Sequence, residues 1–254
     1  MLQSQHDTDL IPPREMLHDG SSSAEEFVLL GEGFLQHILV PRAHLAPTAA
    51  ILDLGCGNGA VARALTRFLS AHGRYEGLDI NRTTIEWLQE RYKAHANFRF
   101  THADVWNNLY NPSGKAHPAQ YRFPFEDSSF DLVLLKSVFT HMFPNEVQVY
   151  MREISRVLKT GGRSVITYFL LNVESRRFIE KGLDALGFTS DYDGDRLCRI
   201  ANPAIPEFAV AHDEQRVREC YVQTGCSVVN LEFGNWCGRT SFLGLQDLVI
   251  AVKE

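Results

Sequence analysis

A chain of 254 residues, 44% of them apolar, is long enough to bury a sizeable core as one large domain or as one domain with a cap. Its net charge of −6 excludes a general electrostatic attraction to nucleic acid or to an anionic membrane. The five cysteines (Cys56, Cys198, Cys220, Cys226, Cys237) are odd in number and form no C-x-x-C pair, so they read as reduced thiols; with no apolar run of membrane-spanning length and no apolar signal core, a cytoplasmic location is expected.

Residues 1–23 are polar, contain Pro12 and Pro13, and are expected to form an arm or loosely packed lid. Glu25 to Leu39 is apolar enough for one or two helices, broken near Gly31 and Gly33. Residues 1–50 are thus read as an arm with lid helices, and 51–254 as the main domain. Ile51 to Gly59, ILDLGCGNG, runs from a strand into glycines at alternate positions. Ala60 to His72 follows with helical apolar spacing at Val61, Ala64, Leu65, Phe68 and Leu69. Tyr75 to Ile80 reads as the second strand, and Asn81 as the cap of a helix bearing Ile85, Leu88 and Tyr92. Phe98 to Val105 alternates as strand three. A polar connection over Asn107 to Tyr121 includes the run YNPSG, and strand four lies within Phe123 to Ser137. Val147, Met151, Ile154 and Leu158 mark one helical face, with Gly161 and Gly162 as the stop and Arg163 to Leu170 as strand five. Leu171 to Ala211 reads as an irregular cap. His212 or Asp213 caps a last helix ended by Gly225, and strands near Cys226–Phe233 and Gln246–Val252 close the chain.

This alternation predicts an α/β fold, a doubly wound seven-stranded sheet. No helix separates the last two strands, so they should pair antiparallel. Two ligand readings of the glycine run stand side by side. Gly55, Gly57 and Ala60 satisfy G-x-G-x-x-G for a nicotinamide dinucleotide. Gly55, Gly57 and Gly59, with Asp53 two residues before them, suit S-adenosylmethionine instead. An ionised Asp53 beside a pyrophosphate would crowd two anions, whereas it complements an ammonium group. In this reading Asp79, ending the second strand, takes the ribose hydroxyls.

On these residues the sequence resembles the class I S-adenosylmethionine-dependent methyltransferases, whose first motif is an acid followed by GxGxG. FPFEDSSFD ahead of strand four, SVFTHM (Ser137 to Met142) and EISRVLKTGG (Glu153 to Gly162) extend the resemblance to bacterial small-molecule members. It implies a sheet with an antiparallel last strand and cofactor contacts from Asp53, Gly55, Cys56, Gly57 and Gly59. It implies further contacts from Asp79, Ile80, Asp104, Val105 and Lys136. Asp104 would accept from the adenine amine, against a plain turn-capping role. The segment before strand one would close over the cofactor, or merely cover a sheet edge.

A methyl group on a sulfonium is already activated, so the protein must align the acceptor and, for a hydroxyl, remove its proton. His141, just past strand four, is the candidate base; the competing reading is a packed histidine at a helix start. His212, Trp236 and Arg239 are candidate substrate contacts: an indole stacks on a ring and a guanidinium holds a carboxylate. Trp236 reads equally as the anchor of a turn. No metal-ligand spacing is visible. The expected activity is methyl transfer to an oxygen, or nitrogen, of a small molecule, with no nucleic-acid or membrane partner. The competing functions are a nicotinamide-dependent oxidoreductase and a non-catalytic cofactor-binding subunit.

Overall fold

The computed structural model describes residues 9–17, 20–192 and 194–254; the first eight positions of the expected arm lie outside the described residues. The chain forms two compact units, Met1–Ala103 with Phe130–Leu134, and Asp104–Ser129 with Leu135–Glu254.

The first unit opens with helix α1 (Ala24–Phe34), capped by Ser23 Oγ, which accepts from Glu26 N. The expected break near Gly31 and Gly33 does not occur, and the helix runs on into a π-helical turn over Leu35–Leu39. Gly31 serves close packing instead: a Cβ there would lie 2.1 Å from the Ala60 carbonyl oxygen. Four parallel strands follow as β1 (Ala50–Leu54), β2 (Arg74–Asp79), β3 (Phe98–His102) and β4 (Phe130–Leu135). β1 pairs β2 with Ile51 opposite Tyr75, and pairs β4 with Ile51 opposite Leu132. All of Ile51–Leu54 is buried, as expected for a strand covered on both faces. Fully burying each such aliphatic side chain contributes about 1.5–3 kcal/mol. Helix α2 (Ala60–Leu65) is shorter than the 60–72 pattern, and β3 stops three residues before Val105. Asn81 caps α3 (Arg82–Arg91) as its sequence suggests, its side chain accepting from Thr84 N.

The second unit contains α4 (Pro144–Val157), whose Val147, Met151 and Ile154 are buried. Here the chain passes from Val157 straight into β5 (Leu158–Tyr168). Gly161 and Gly162 therefore lie inside a strand rather than stopping the helix, because Leu158 is already extended at ψ 138°. The expected irregular cap is also ordered. β6 (Leu170–Leu171), β7 (Ser190–Tyr192), β8 (Asp195–Ile200) and β9 (Val210–Asp213) form a four-stranded sheet in the order β6-β9-β8-β7, with α5 (Val173–Glu180) between β6 and β7. Asp213 caps α6 (Glu214–Gln223), accepting from Gln215 N and Arg216 N. β10 (Cys226–Glu232) and β11 (Asp247–Lys253) pair antiparallel, and β11 also runs antiparallel to β5. The main sheet has seven strands in the order β10-β11-β5-β4-β1-β2-β3, the expected architecture.

Candidate active site

In the first unit the turn after β1 is shaped by backbone that only glycine adopts without strain. Gly55, Gly57 and Gly59 have φ of 74°, 50° and 83°. Gly59 is also confined, since a Cβ would meet Leu88 Cδ2 at 2.7 Å. The turn is tied to the end of β2. Gly55 N and Cys56 N donate to the Leu78 carbonyl, and Gly57 N donates to Asp79 Oδ2 at 2.8 Å. The other Asp79 oxygen accepts from Asn81 N at 2.8 Å. A carboxylate offers about four acceptor positions, so holding this turn is compatible with accepting ribose hydroxyls as well. Asp53 is buried and accepts from Tyr75 OH at 2.6 Å. Burial and the Asp53 charge push the Tyr75 phenol far up, so it stays a donor. Tyr75 is itself stacked on Phe98, with ring centroids 5.2 Å apart. The Ile80 carbonyl takes His102 Nε2 at 3.1 Å, and the Met16 carbonyl accepts from Asn58 Nδ2, which draws segment 14–17 over the turn. The structure thus brings Asp53, Gly55–Gly59, Asp79 and Ile80 together.

In the second unit Asp104 is partly exposed, with Lys115 Nζ 4.0 Å from its carboxylate, and Val105 is buried beside Ala116. Lys136 directly follows β4 and is half-buried. The next residue, Ser137, has φ 62°. For a residue with a Cβ this conformation costs roughly 1–2 kcal/mol and persists only where the surroundings enforce it. Here Ser137 N donates to Thr167 Oγ1 at 2.8 Å and its hydroxyl to Gln246 at 3.0 Å. The kink leads into a single 3-10 turn, Phe139–His141. His141 Nδ1 lies 2.8 Å from the Glu207 carbonyl and must donate to it. The acceptor lone pair of the neutral ring is then on Nε2, with Tyr110 OH 3.5 Å away. Burial lowers the His141 pKa below its ordinary value, partly offset by the backbone carbonyls of Glu207 and Phe208. The ring is therefore mostly neutral at pH 7, with its lone pair on Nε2.

The three expected substrate contacts sit elsewhere in this unit. His212 is buried and its Nε2 donates to the Phe139 carbonyl at 2.9 Å, pinning the turn that carries His141. Burial drives its pKa down to about 4. It also borders a cleft between α4 and α6, shared with Gln148, Arg216 and Cys220. Trp236 is fully buried against Phe169 and Phe188. Its Nε1 donates to Asp247 Oδ2 at 2.7 Å. The same carboxylate takes Leu170 N at 2.6 Å, Gly234 N at 2.7 Å and Arg239 at 3.3 Å. Arg239 additionally pairs Glu174 at 2.6 Å. Burial raises Asp247 to about 6, which leaves it ionised at neutral pH to receive these donors. Trp236 and Arg239 thus form an internal anchor around Asp247. Sequence reasoning missed Tyr110, Glu207 and Asp247, and no local pattern marks them. Among the described residues no group of three His, Cys, Asp or Glu side chains is placed to hold a metal, and no helix is long and apolar enough to cross a membrane.

Comparison with known proteins adds to this geometry. Residues 52–166 match the family model described as a methyltransferase domain. The chain is similar to a demethylmenaquinone methyltransferase of Lactiplantibacillus plantarum, 34% identical over 124 residues, covering 49% of this chain and 46% of the relative. It is also similar to a phthiotriol/phenolphthiotriol dimycocerosates methyltransferase of Mycobacterium ulcerans, 34% identical over 117 residues, covering 46% of this chain and 36% of the relative. The chain spans less than half the length of these curated relatives. Among solved structures it shares its fold with a Pyrococcus horikoshii protein at TM-score 0.60, 18% identity and coverage of 95% of this chain and 96% of the other. It also shares it with an S-adenosylmethionine-dependent methyltransferase of Methanosarcina mazei at TM-score 0.56, 20% identity and coverage of 84% and 97%.

Proposed function

We propose that this chain is a class I S-adenosylmethionine-dependent methyltransferase that moves a methyl group to an oxygen, or in a variant a nitrogen, of a small organic molecule, a reading supported by the match of residues 52–166 to a methyltransferase domain. The methyl donor of that superfamily is S-adenosylmethionine, which supplies an activated methyl on a sulfonium. The single observation that carries the reading is the glycine turn held by Asp79 beside buried Asp53. That turn fits the donor: its backbone approaches a ligand without side chains, and two acids stand by it for the ammonium and ribose groups.

In this reading Asp53, Gly55, Cys56, Gly57 and Gly59 hold the amino-acid end, and Asp79 and Ile80 the ribose. Asp104, Val105 and Lys136 complete the cofactor contacts on the family pattern. His141 removes the acceptor proton at Nε2. The names of the two relatives, a demethylmenaquinone methyltransferase and a phthiotriol/phenolphthiotriol dimycocerosates methyltransferase, support a small-molecule acceptor. The family match favours this reading of the glycines over the nicotinamide one.

Calorimetry with S-adenosylhomocysteine and with NAD tests it. Binding of the first and none of the second is the expected result. Asp79→Asn should weaken S-adenosylhomocysteine by about ten- to a hundredfold, the loss of one or two charge-assisted hydrogen bonds. Binding of NAD alone would refute the proposal.

A further inference from the structure

We propose that the acceptor is a ring bearing an acidic hydroxyl, a phenol or enol, and that this hydroxyl takes the place on His141 now held by Tyr110. The inference rests on the reading of His141 as the base. Nδ1 is committed to the Glu207 carbonyl at 2.8 Å, so Nε2 alone can accept a proton. The group facing Nε2 is itself a phenol: Tyr110 OH stands 3.5 Å away, and its ring meets the imidazole edge-on at 5.2 Å and 79°. That distance is the outer limit of a hydrogen bond, so a closer donor displaces it readily.

Tyr110 is 44% exposed as a residue, and its backbone is held in place. Leu109 N and Tyr110 N both donate to Asn107 Oδ1 at 3.0 Å, and Asn107 and Asn111 exchange backbone bonds at 3.0 and 3.1 Å. These bonds hold the main chain of the turn, so a change in the Tyr110 side chain need not alter them.

Acid strength narrows the class. A buried neutral histidine is a weak base. Taking the proton from a phenol, of pKa about 10, is roughly six powers of ten less uphill than from a hydroxyl near 16. In the step, the acceptor O–H proton passes to His141 Nε2 and the oxygen electron pair forms the bond to the methyl carbon. The electron pair of the broken carbon–sulfur bond stays on sulfur, and the imidazolium then releases its proton to water.

The test follows the His141 ring by nitrogen NMR in the full chain saturated with S-adenosylhomocysteine, titrated with para-cresol, catechol and 2-naphthol. At least one phenol should shift Nε2, and should bind roughly fivefold more tightly to Tyr110→Ala, where the competing ring is gone. With S-adenosylmethionine that phenol should yield its methyl ether, while cyclohexylmethanol yields none. The melting temperature of Tyr110→Ala is measured alongside, so that a loss of fold is told apart from a loss of binding. An unmoved His141 with every phenol in both proteins, or methylation of cyclohexylmethanol at a comparable rate, overturns the inference. Failure to bind S-adenosylhomocysteine would instead strike the methyl-transfer reading itself.

Discussion

In the proposed role of His141 as base, its tautomer is set by the Glu207 carbonyl and its neutrality by burial, and among the described residues none of its hydrogen-bond partners is a carboxylate. Removing it should therefore leave the glycine turn untouched. His141→Gln is expected to lower turnover about 10²- to 10⁴-fold at unchanged S-adenosylhomocysteine affinity, measured by steady-state kinetics and calorimetry. The pH profile carries a second signature. A base works only when neutral, and the folded pKa lies below 6.5, so the acid limb of the rate should fall below pH 6.5 and the rate should be level through neutrality. An acid limb above pH 7 would show that another group titrates. The position of His141 past a strand end was legible in the sequence. Its partners were not, because Tyr110 and Glu207 lie 31 and 66 residues away and no pattern links such distant positions.

Helix α1 illustrates how an element departs from its sequence signal. Two glycines two residues apart suggest a break, since each weakens a helix by about 1 kcal/mol, yet the helix is continuous. Gly31 is required by contact with Ala60, whereas Gly33 would meet nothing within 4 Å if given a Cβ. The pair makes opposite predictions. Gly31→Ala should destabilise by about 1–3 kcal/mol, because backbone rather than a flexible side chain must move. Gly33→Ala should stabilise by about 0.5–1 kcal/mol through reduced freedom of the unfolded chain. Chemical denaturation of both variants checks this; equal effects would mean that the helix does not dock through Gly31. The small sheet of the second unit was illegible for another reason. β6 and β7 are two and three residues long, too short for any alternation to register. The helix α4 boundary failed because a glycine pair after an apolar face reads as a stop, and only the extended Leu158 reveals that the strand has already begun.

Across the whole molecule, the seven-stranded sheet and its antiparallel ending were legible because long buried strands and an absent helix leave plain traces, whereas the order of the strands was not. Global stability against acid is less obvious. His212 has a folded pKa of about 4 against an unfolded value near 6.5. Below pH 6.5 the unfolded chain takes up a proton that the folded chain refuses, so stability falls until about pH 4, by about 3 kcal/mol. Asp247, raised to about 6, acts with the opposite sign between pH 3.8 and 6 and partly offsets this. The offset cancels in a comparison with His212→Gln, whose side-chain amide still donates to Phe139. Between pH 7 and 4 the variant should gain about 3 kcal/mol on the parent in urea titrations; parallel pH curves would rule out His212 as the acid-sensitive group. The Asp247 anchor bears on ancestry as well. One carboxylate serves side-chain donors from Trp236 and Arg239 beside the main-chain N–H groups of Leu170 and Gly234, so Asp247, Trp236 and Arg239 cannot drift independently. A change at one alters what the same two oxygen atoms must satisfy, and descendants of this chain would replace the set jointly or retain it. The exposed stretch from Thr240 to Leu245 is tied to the anchor only through main chain, the Gly244 and Leu245 carbonyls accepting from Asn235 N and Trp236 N, so its side chains take no part in serving that carboxylate and are free to diversify.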